Sequence, residues 1–549
     1  MDQTAILTGT LPFILLASAL LTAPVAFFLL WLYRRAVIRS MNRIGSGAKS
    51  APPVSNAGAV SAPQSLRITA VGAGSVAAST RYIAIGQSLR QLGLVYIAAG
   101  LAYALVFTAI WMTVVTPGGF IFSRFAWLTA VFAWPIPLTL ILVTATGTRQ
   151  RVAIVLAYLV VLLAIGSYAI ARNPDILDWK QLASFWLLEQ GPTTVLLLAY
   201  LARRVRAAGP LVLVFITAGA TGALLMVNFA GSDDAILRRI VHIGMGFGLD
   251  GAQMFIALHV IGFIPFAIIG WLLLRWIGRR YETKRMSDQS LTLDAMWMLF
   301  GIVQSIGLVF ESWPFILTGL VAFAAYKLVA SAGFRWLGMQ RTEGSTPELL
   351  LLRVFSLGAR TQKLFDAFAK CWLRVGSINL IAGPDLATAI VEPHEFLGFV
   401  GGRLSRQFVQ DEPDLEQRLA RLDTRPDPDG RHRVNEFFCY ADTWQTTMRR
   451  LAQRSDSVLM DLRSFSRSNQ GCLYEIGTLL ESVPLDRVVF VIDHTTDRAF
   501  LEESLKGLWA HLRADSPNRR SADPQIRLLA ADRQSGQEVE ALLQRLLAA

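Results

Sequence analysis

Residues that can perform chemistry gather in one stretch near the carboxyl end of the chain. Asp461 and Arg463 follow an apolar run, a serine-rich segment comes next, and Gly471 and Glu475 open a helical pattern. A carboxylate can stabilise or trap the oxocarbenium-like state of a breaking glycosidic bond, and an arginine can pair with a phosphate through two hydrogen bonds. We therefore take Glu475 and Asp461 as candidate catalytic residues and Arg463 as a candidate phosphate ligand.

Other polar residues stand where neighbouring apolar runs end. In parallel sheets ligands bind beyond the carboxyl ends of the strands, and the free N–H groups of a helix start suit an anion. The candidate ligand-binding residues are Gly383, Asp385, Arg463, Ser468, Asn469, Gly471 and Asp493. The alternative is structural: Glu475 would be an acid near a helix start, favoured by the helix dipole, and Asp461 an acceptor for its own loop.

The stretch from Ser455 to Glu481 also carries a resemblance to known families. A strand, a serine-rich loop and then Gly471-Cys472-x-x-Glu475 at a helix start resembles the TIR domain. Together with the segment from Leu380 to Asp385, the same helix start resembles nucleoside 2-deoxyribosyltransferases. Both resemblances imply a doubly wound sheet, cleavage of an N-glycosidic bond, and the catalytic glutamate at Glu475. The pattern departs from the TIR domain at Gly471, where a tryptophan often stands.

These residues need a sheet to position them, and the sequence predicts one. Short apolar runs alternate with amphipathic helical patterns after the linker that ends at Pro347, which indicates a mostly parallel sheet covered on both faces. We predict one cytoplasmic α/β domain over 345–549, flavodoxin-like or Rossmann-like and TIR-like. The predicted strands are 350–356, 377–382, 434–439, 457–462, 487–492 and 525–530.

The composition of the whole chain indicates a membrane protein. Of its residues, 53% are hydrophobic and only 17% charged, which excludes a disordered chain or an ordinary cytosolic protein. Continuous apolar stretches of about 20 residues are long enough to cross a bilayer as helices. We predict a polytopic α-helical membrane bundle over 1–340. Its nine expected spans are 11–33, 92–115, 125–146, 152–171, 183–202, 211–230, 253–274, 291–310 and 313–334.

The basic residues predict the orientation of this bundle. One set of alternate loops holds 18 Lys and Arg residues, whereas the other set holds 5. Cytoplasmic loops carry the excess of basic residues, so we expect the amino terminus outside, the α/β domain in the cytoplasm, and the protein in the cell (inner) membrane. Residues 36–90, which are rich in small residues and proline over 45–80, are predicted to form a mobile cytoplasmic loop.

Three functions remain open from these patterns. The first is a membrane-bound signalling or defence effector whose cytoplasmic domain binds, and in its enzyme form cleaves, NAD or a related nucleotide. The second is a noncatalytic membrane sensor that binds a nucleotide, and the third is a transporter or channel with a regulatory domain. Intramembrane charges such as Glu189, Asp294 and Lys327 would suit transport, although no internal repeat supports it.

Partners and cofactors follow from the same patterns. The lipid bilayer is an expected partner, self-association of the cytoplasmic domain is an open one, and no nucleic-acid partner is expected. No cofactor is required, because NAD or a relative would be substrate or ligand. The histidines have no metal-binding spacing, and Asp427-Pro428-Asp429-Gly430 favours a polar turn over a calcium loop, so no metal site is predicted.

Overall fold

A computed structural model gives the structure of the protein. It describes residues 3–42, 65–71, 80–115, 119–202, 205, 208–309, 311, 313–340, 346–353, 359–382, 393–521, 523–532 and 536–548.

The amino-terminal part of the described chain is helical. Its helices are α1 (Gln3–Met41), α2 (Thr80–Val115), α3 (Phe122–Phe132), α4 (Pro135–Val143), α5 (Thr148–Arg172), α6 (Trp179–Leu201), α7 (Gly209–Ala230), α8 (Asp234–Gly246), α9 (Gly251–Glu282), α10 (Asp288–Val309) and α11 (Thr318–Trp336). Asp178 and Asp250 begin α6 and α9 with capping boxes, in which each carboxylate accepts a bond from the third residue of its helix.

Seven helical stretches in the described residues are long and apolar enough to cross a membrane. They are Leu20–Met41, Arg81–Val115, Phe122–Val143, Thr148–Arg172, Gly209–Val227, Gly251–Glu282 and Asp288–Leu308. The count of nine spans is therefore too high by this measure. The two remaining segments are helical in α6 and α11, but Glu189 and Gln190 interrupt the first, and Lys327 and Arg335 make the second more polar.

A packed aromatic core holds these helices together. The ring of Trp297 on α10 lies 4.8 Å from that of Tyr103 on α2 and 5.1 Å from that of Tyr326 on α11. The indole nitrogen of Trp297 donates to the Thr139 hydroxyl over 3.1 Å, so its polar atom is satisfied inside the bundle. Helices α10 and α11 cross closely at Gly301, where a Cβ on Gly319 would lie 2.3 Å from the Gly301 carbonyl oxygen.

The predicted parallel sheet has eight strands in the described residues, and seven of them lie in the carboxyl-terminal part. They are β1 (Arg67–Val71), β2 (Glu348–Arg353), β3 (Ser377–Ile381), β4 (Phe408–Val409), β5 (Val434–Cys439), β6 (Ser457–Asp461), β7 (Val488–Ile492) and β8 (Gln525–Ala530). Their order is β1-β8-β7-β6-β2-β3-β5-β4, and every pair is parallel. The strands β3-β2-β6-β7-β8 follow the flavodoxin-like order, one of the two arrangements that the sequence left open.

Two strands were not expected. β4 has two residues and lies between the predicted strands 377–382 and 434–439. β1 comes from the segment between α1 and α2 that we predicted to be a mobile loop, and it pairs with β8 at the edge of the sheet, Ile68 opposite Ile526. The helical half of the chain therefore supplies the last strand of the α/β domain.

Helices cover both faces of the sheet. They are α12 (Ala359–Trp372), α13 (Pro393–Val400), α14 (Glu412–Ala420), α15 (Trp444–Arg454), α16 (Gln470–Ser482), α17 (Arg498–Ala510) and α18 (Gly536–Ala548). One core contains Met448, Leu479 and Leu505 from α15, α16 and α17, and the other contains Trp372 from α12 and Leu542 from α18. Strands buried on both faces explain why they read as continuous apolar runs.

The two halves meet through a polar junction. Residues 423–433, here called the docking loop, lie against the turn between α9 and α10. Arg431 pairs with Asp288, and the Ser287 hydroxyl donates to the Asp429 carboxylate over 2.8 Å. The backbone carbonyl of Asp427 accepts from the Gly430 N–H over 2.9 Å, so the polar turn predicted there is present.

Other loops of the helical half face the same domain. Lys370 on α12 donates to the Ala145 carbonyl after α4 over 2.7 Å, and Lys284 donates to the Asp423 carbonyl over 2.9 Å. The set of loops that holds 18 Lys and Arg residues has four members. Three of them, the loop that contains β1 and the loops at Ala145 and Lys284, lie on the side of the α/β domain.

Candidate functional site

The order of the strands creates a crevice between β2 and β6. From β2 the chain moves to β3 on one side, and it later returns to β6 on the other, so the connections leave the sheet in opposite directions. Such a switch point is where ligands bind in open α/β sheets. Arg353 ends β2 and stands opposite Asp461, which ends β6. These two residues and the segments that follow them form the floor of the candidate site.

Asp461 and Arg463 are paired with each other. The guanidinium of Arg463 donates from Nε and Nη2 to the two carboxylate oxygens of Asp461 over 2.8 and 2.6 Å. Arg463 is only 2% exposed, and the pair is buried. We predicted that Asp461 would bind ribose hydroxyls and Arg463 a phosphate. In the structure the two side chains bind each other, so either role would compete with this ion pair.

The serine-rich loop is held by its own polar side chains. The Asn469 carboxamide oxygen accepts from the Ser466 backbone N–H over 2.9 Å, and the Ser466 and Ser468 hydroxyls lie 2.9 Å apart. Ser464 has a φ of +60°, a conformation that costs a non-glycine residue energy, and its N–H donates to the Thr495 hydroxyl. Hydrogen bonds of its own side chains and of Thr495 thus fix the conformation of this loop beside the crevice.

Glu475 lies on the second turn of α16 and is 2% exposed. Among the described residues, its Oε2 atom has no hydrogen-bond partner. Burial raises the pKa of this carboxyl to about 8, and the positive charge of Arg353 opposes the rise only in part. A buried carboxyl that has one oxygen without a hydrogen bond and a raised pKa is typical of functional sites.

The start of α16 is open. Outside its own helix backbone and its chain neighbours, no atom of the described residues lies within 4 Å of a Cβ built on Gly471, so there is room for a ligand beside the backbone. Burial raises the pKa of the neighbouring Cys472 thiol to about 12, with the charge of Glu475 adding to the rise. That thiol is therefore protonated at neutral pH, and it packs in the core that contains Leu479.

The remaining predicted residues divide into two groups. Asp493, at the end of β7, accepts bonds from the Thr495 N–H and hydroxyl, and therefore closes its own turn. Gly383 and Asp385 lie outside the described residues.

Among the described residues, no group of three or more His, Cys, Asp or Glu side chains is arranged to hold a metal ion.

Arg353 is a site residue that sequence reasoning missed. It lies inside the run that we predicted as a strand, and its signal was a single charge among leucines. Such a residue at the last position of a buried parallel strand reaches the carboxyl edge, where sites form.

No protein-family model, no curated protein and no solved structure matches the chain. The resemblances to TIR domains and to deoxyribosyltransferases therefore rest on the residues quoted above.

Proposed function

We propose that the protein is an integral membrane protein whose α/β domain binds NAD or a related nucleotide at the crevice between β2 and β6, and cleaves its N-glycosidic bond there. The observation that carries the proposal is Glu475. Its carboxyl is buried and has a raised pKa, and its Oε2 atom has no hydrogen-bond partner among the described residues. The positive charge of Arg353, at the switch point of the sheet, acts on it electrostatically.

The chemistry follows from the groups around it. In its ionised form, Glu475 stabilises or traps the oxocarbenium-like ribosyl centre as the base departs. Arg353 and the open backbone at Gly471 supply positive potential and N–H donors for the phosphates of the nucleotide. Because the pKa of Glu475 is about 8 in the ligand-free protein, the ionised fraction increases from pH 6 to pH 9. A bound nucleotide that adds hydrogen-bond donors would favour ionisation further.

A second candidate function is a sensor that binds the nucleotide without cleaving it. The closed Asp461–Arg463 pair and the low exposure of Glu475 favour this reading, because a catalytic carboxylate must reach the ribose. The polar junction between the docking loop and α10 gives such a sensor a direct route from the α/β domain to the helices.

Orientation completes the proposal. We place the α/β domain in the cytoplasm of a cell with an inner membrane. Three of the four basic loops, which are expected on the cytoplasmic side, contact this domain.

Isothermal titration of the purified full-length protein with NAD tests binding. Arg353→Ala should weaken binding roughly tenfold, since it removes a charge-assisted contact. Arg449→Ala, a matched change of an exposed arginine on α15, should leave binding unchanged. If wild type and both variants bind equally well or not at all, the crevice is not the nucleotide site.

A further inference from the structure

A large cavity lies where the helices meet the α/β domain. Its volume is about 1120 Å³, above the roughly 300–1,000 Å³ of most ligand pockets. Helices α7, α9, α10 and α11 form its walls, and Pro428 and Asp429 of the docking loop close its end. One side is open, because the lining residues Leu273 and Trp276 are 42% and 51% exposed.

The cavity is charged at one end and apolar at the other. Arg280 and Arg285 mark the end next to the α/β domain, together with Arg335 on α11. Phe266, which lies 14 residues before Arg280 on α9, is about 20 Å away from it along the axis, at 1.5 Å per residue. The far walls are made of side chains such as Phe266, Met298, Ile302 and Phe323.

The charges at the polar end are mostly uncompensated. Among the described residues, Arg280, Arg285 and Arg335 form no ion pair with an acid. The Arg280 guanidinium lies 4.7 Å from the centre of the Trp276 ring, and its buried Nε has no hydrogen-bond partner among these residues. The two acids of the cavity wall are already engaged. Asp294 pairs with Lys327, and the Asp429 carboxylate accepts from Ser287. The polar end therefore has an excess of positive charge and free donors.

We propose that this cavity binds an anionic phospholipid. The phosphate lies at Arg280 and Arg335, where guanidinium groups can donate paired hydrogen bonds. An acyl chain extends along the apolar walls and leaves through the open side at Leu273 and Trp276. Basic pockets between membrane helices on the cytoplasmic side have the chemistry to bind such headgroups. Because Asp429 closes the cavity, an occupied site also stabilises the junction with the docking loop. This site is independent of the nucleotide crevice.

The test titrates full-length protein in neutral detergent with short-chain phosphatidylglycerol, following tryptophan fluorescence and the melting temperature. We expect saturable binding that raises the melting temperature, because a ligand that binds the folded state stabilises it. Short-chain phosphatidylcholine should bind at least tenfold more weakly. Glycerol 3-phosphate, which has the phosphate and no tails, should also bind at least tenfold more weakly.

Two variants and one control locate the site. Arg280→Gln and Arg335→Gln should each weaken phosphatidylglycerol binding roughly tenfold, the loss expected for one charge-assisted contact. Arg335 is exposed, so its replacement keeps the fold. Arg275→Gln is the matched control, because Arg275 is exposed on α9 and does not line the cavity.

Each remaining outcome overturns the proposal. Equal loss in Arg275→Gln would show that the lipid responds to the general surface charge. Equal binding of glycerol 3-phosphate would assign the cavity to a soluble anion. Unchanged binding in both Arg280→Gln and Arg335→Gln would place the lipid elsewhere.

Discussion

The guanidinium of Arg433 lies 3.7 Å from the centre of the Tyr281 ring and donates to the Tyr281 carbonyl over 2.6 Å. A residue of the α/β domain is thereby stacked on the last turn of α9. The same guanidinium pairs with Asp427, whose side chain is 1% exposed. Arg433 thus binds Asp427 within the docking loop and Tyr281 in the helical half.

Replacing Arg433 should loosen this junction. Arg433→Ala leaves the Asp427 carboxylate buried without its partner, and we expect the free energy of unfolding to fall by about 3 kcal/mol. Thermal unfolding of the purified protein measures the loss. Arg425→Ala is the control, because Arg425 is 81% exposed although it also pairs with an acid of the docking loop. Equal melting temperatures for the two variants would mean that the junction contributes nothing to stability.

The strand β1 should protect the edge of the sheet. Ile68 packs against the core on one face, and Gln525 donates to the Thr69 hydroxyl over 2.9 Å. Ile68→Asp places a charge against this core, so hydrogen exchange in Gln525–Ala530 should speed up by at least tenfold. Arg67→Ala, which removes only an exposed ion pair, should leave the exchange unchanged. Exchange as slow in Ile68→Asp as in wild type would show that β1 does not pair in solution.

Orientation is testable with reporters. A reporter fused after Arg341 should read cytoplasmic, and one inserted near Asp175 should read extracytoplasmic, because basic loops stay in the cytoplasm. The structure adds a third position: an insertion in the turn after Ala145 should read cytoplasmic, since Lys370 of the α/β domain contacts this turn. The opposite pattern at all three positions would reverse the assignment.

The sequence predicted the repetitive parts of the fold better than the contacts between them. Six strands and the parallel sheet were predictable because most buried strands are continuous apolar runs, although Asn435 and Glu436 interrupt β5. β1 was not, because its five residues lie among small residues and gain their stability from Gln525–Ala530, more than 450 positions later. Asp429 was read correctly as part of a turn, but its partner Ser287 lies 142 residues away, and no local pattern indicates such a pair.

The candidate site was predictable in position and less so in detail. Polar residues after apolar strands lie at the carboxyl edge wherever a parallel sheet forms, which accounts for Asp461, Glu475 and Asp493. The pairing of Asp461 with Arg463 depends on side-chain geometry that residue types alone do not determine. The raised pKa of Glu475 arises from burial by neighbouring elements, so only the packed structure reveals it.

The pKa of Glu475 predicts a pH-dependent stability. Its pKa is about 8 in the folded protein, against about 4.5 for an exposed glutamate. Folding therefore favours the protonated form, and the stability that this form provides is complete below pH 4.5 and lost as the pH rises through 8. Glu475→Gln has no carboxyl to ionise and does not lose this stability. Its free energy of unfolding relative to that of wild type should therefore increase between pH 5 and pH 8, by an amount on the order of 3 kcal/mol.

Melting curves of wild type and Glu475→Gln across this range measure the effect. Glu481→Gln, a change on the same helix at a partly exposed position, is the control and should follow wild type. A constant difference between Glu475→Gln and wild type at every pH would show that Glu475 is ionised throughout and is not held in an apolar site.

The most direct test of the proposed function is nicotinamide release from NAD by the purified full-length protein, compared between wild type, Glu475→Gln and Glu481→Gln. The account predicts turnover by wild type that increases from pH 6 to pH 9, a loss of at least about a hundredfold in Glu475→Gln, worth roughly 3 kcal/mol of transition-state stabilisation, and no loss in Glu481→Gln. Turnover in Glu475→Gln equal to that of an active wild type would contradict the account. Binding of NAD without release of nicotinamide by wild type would replace the enzyme with the sensor.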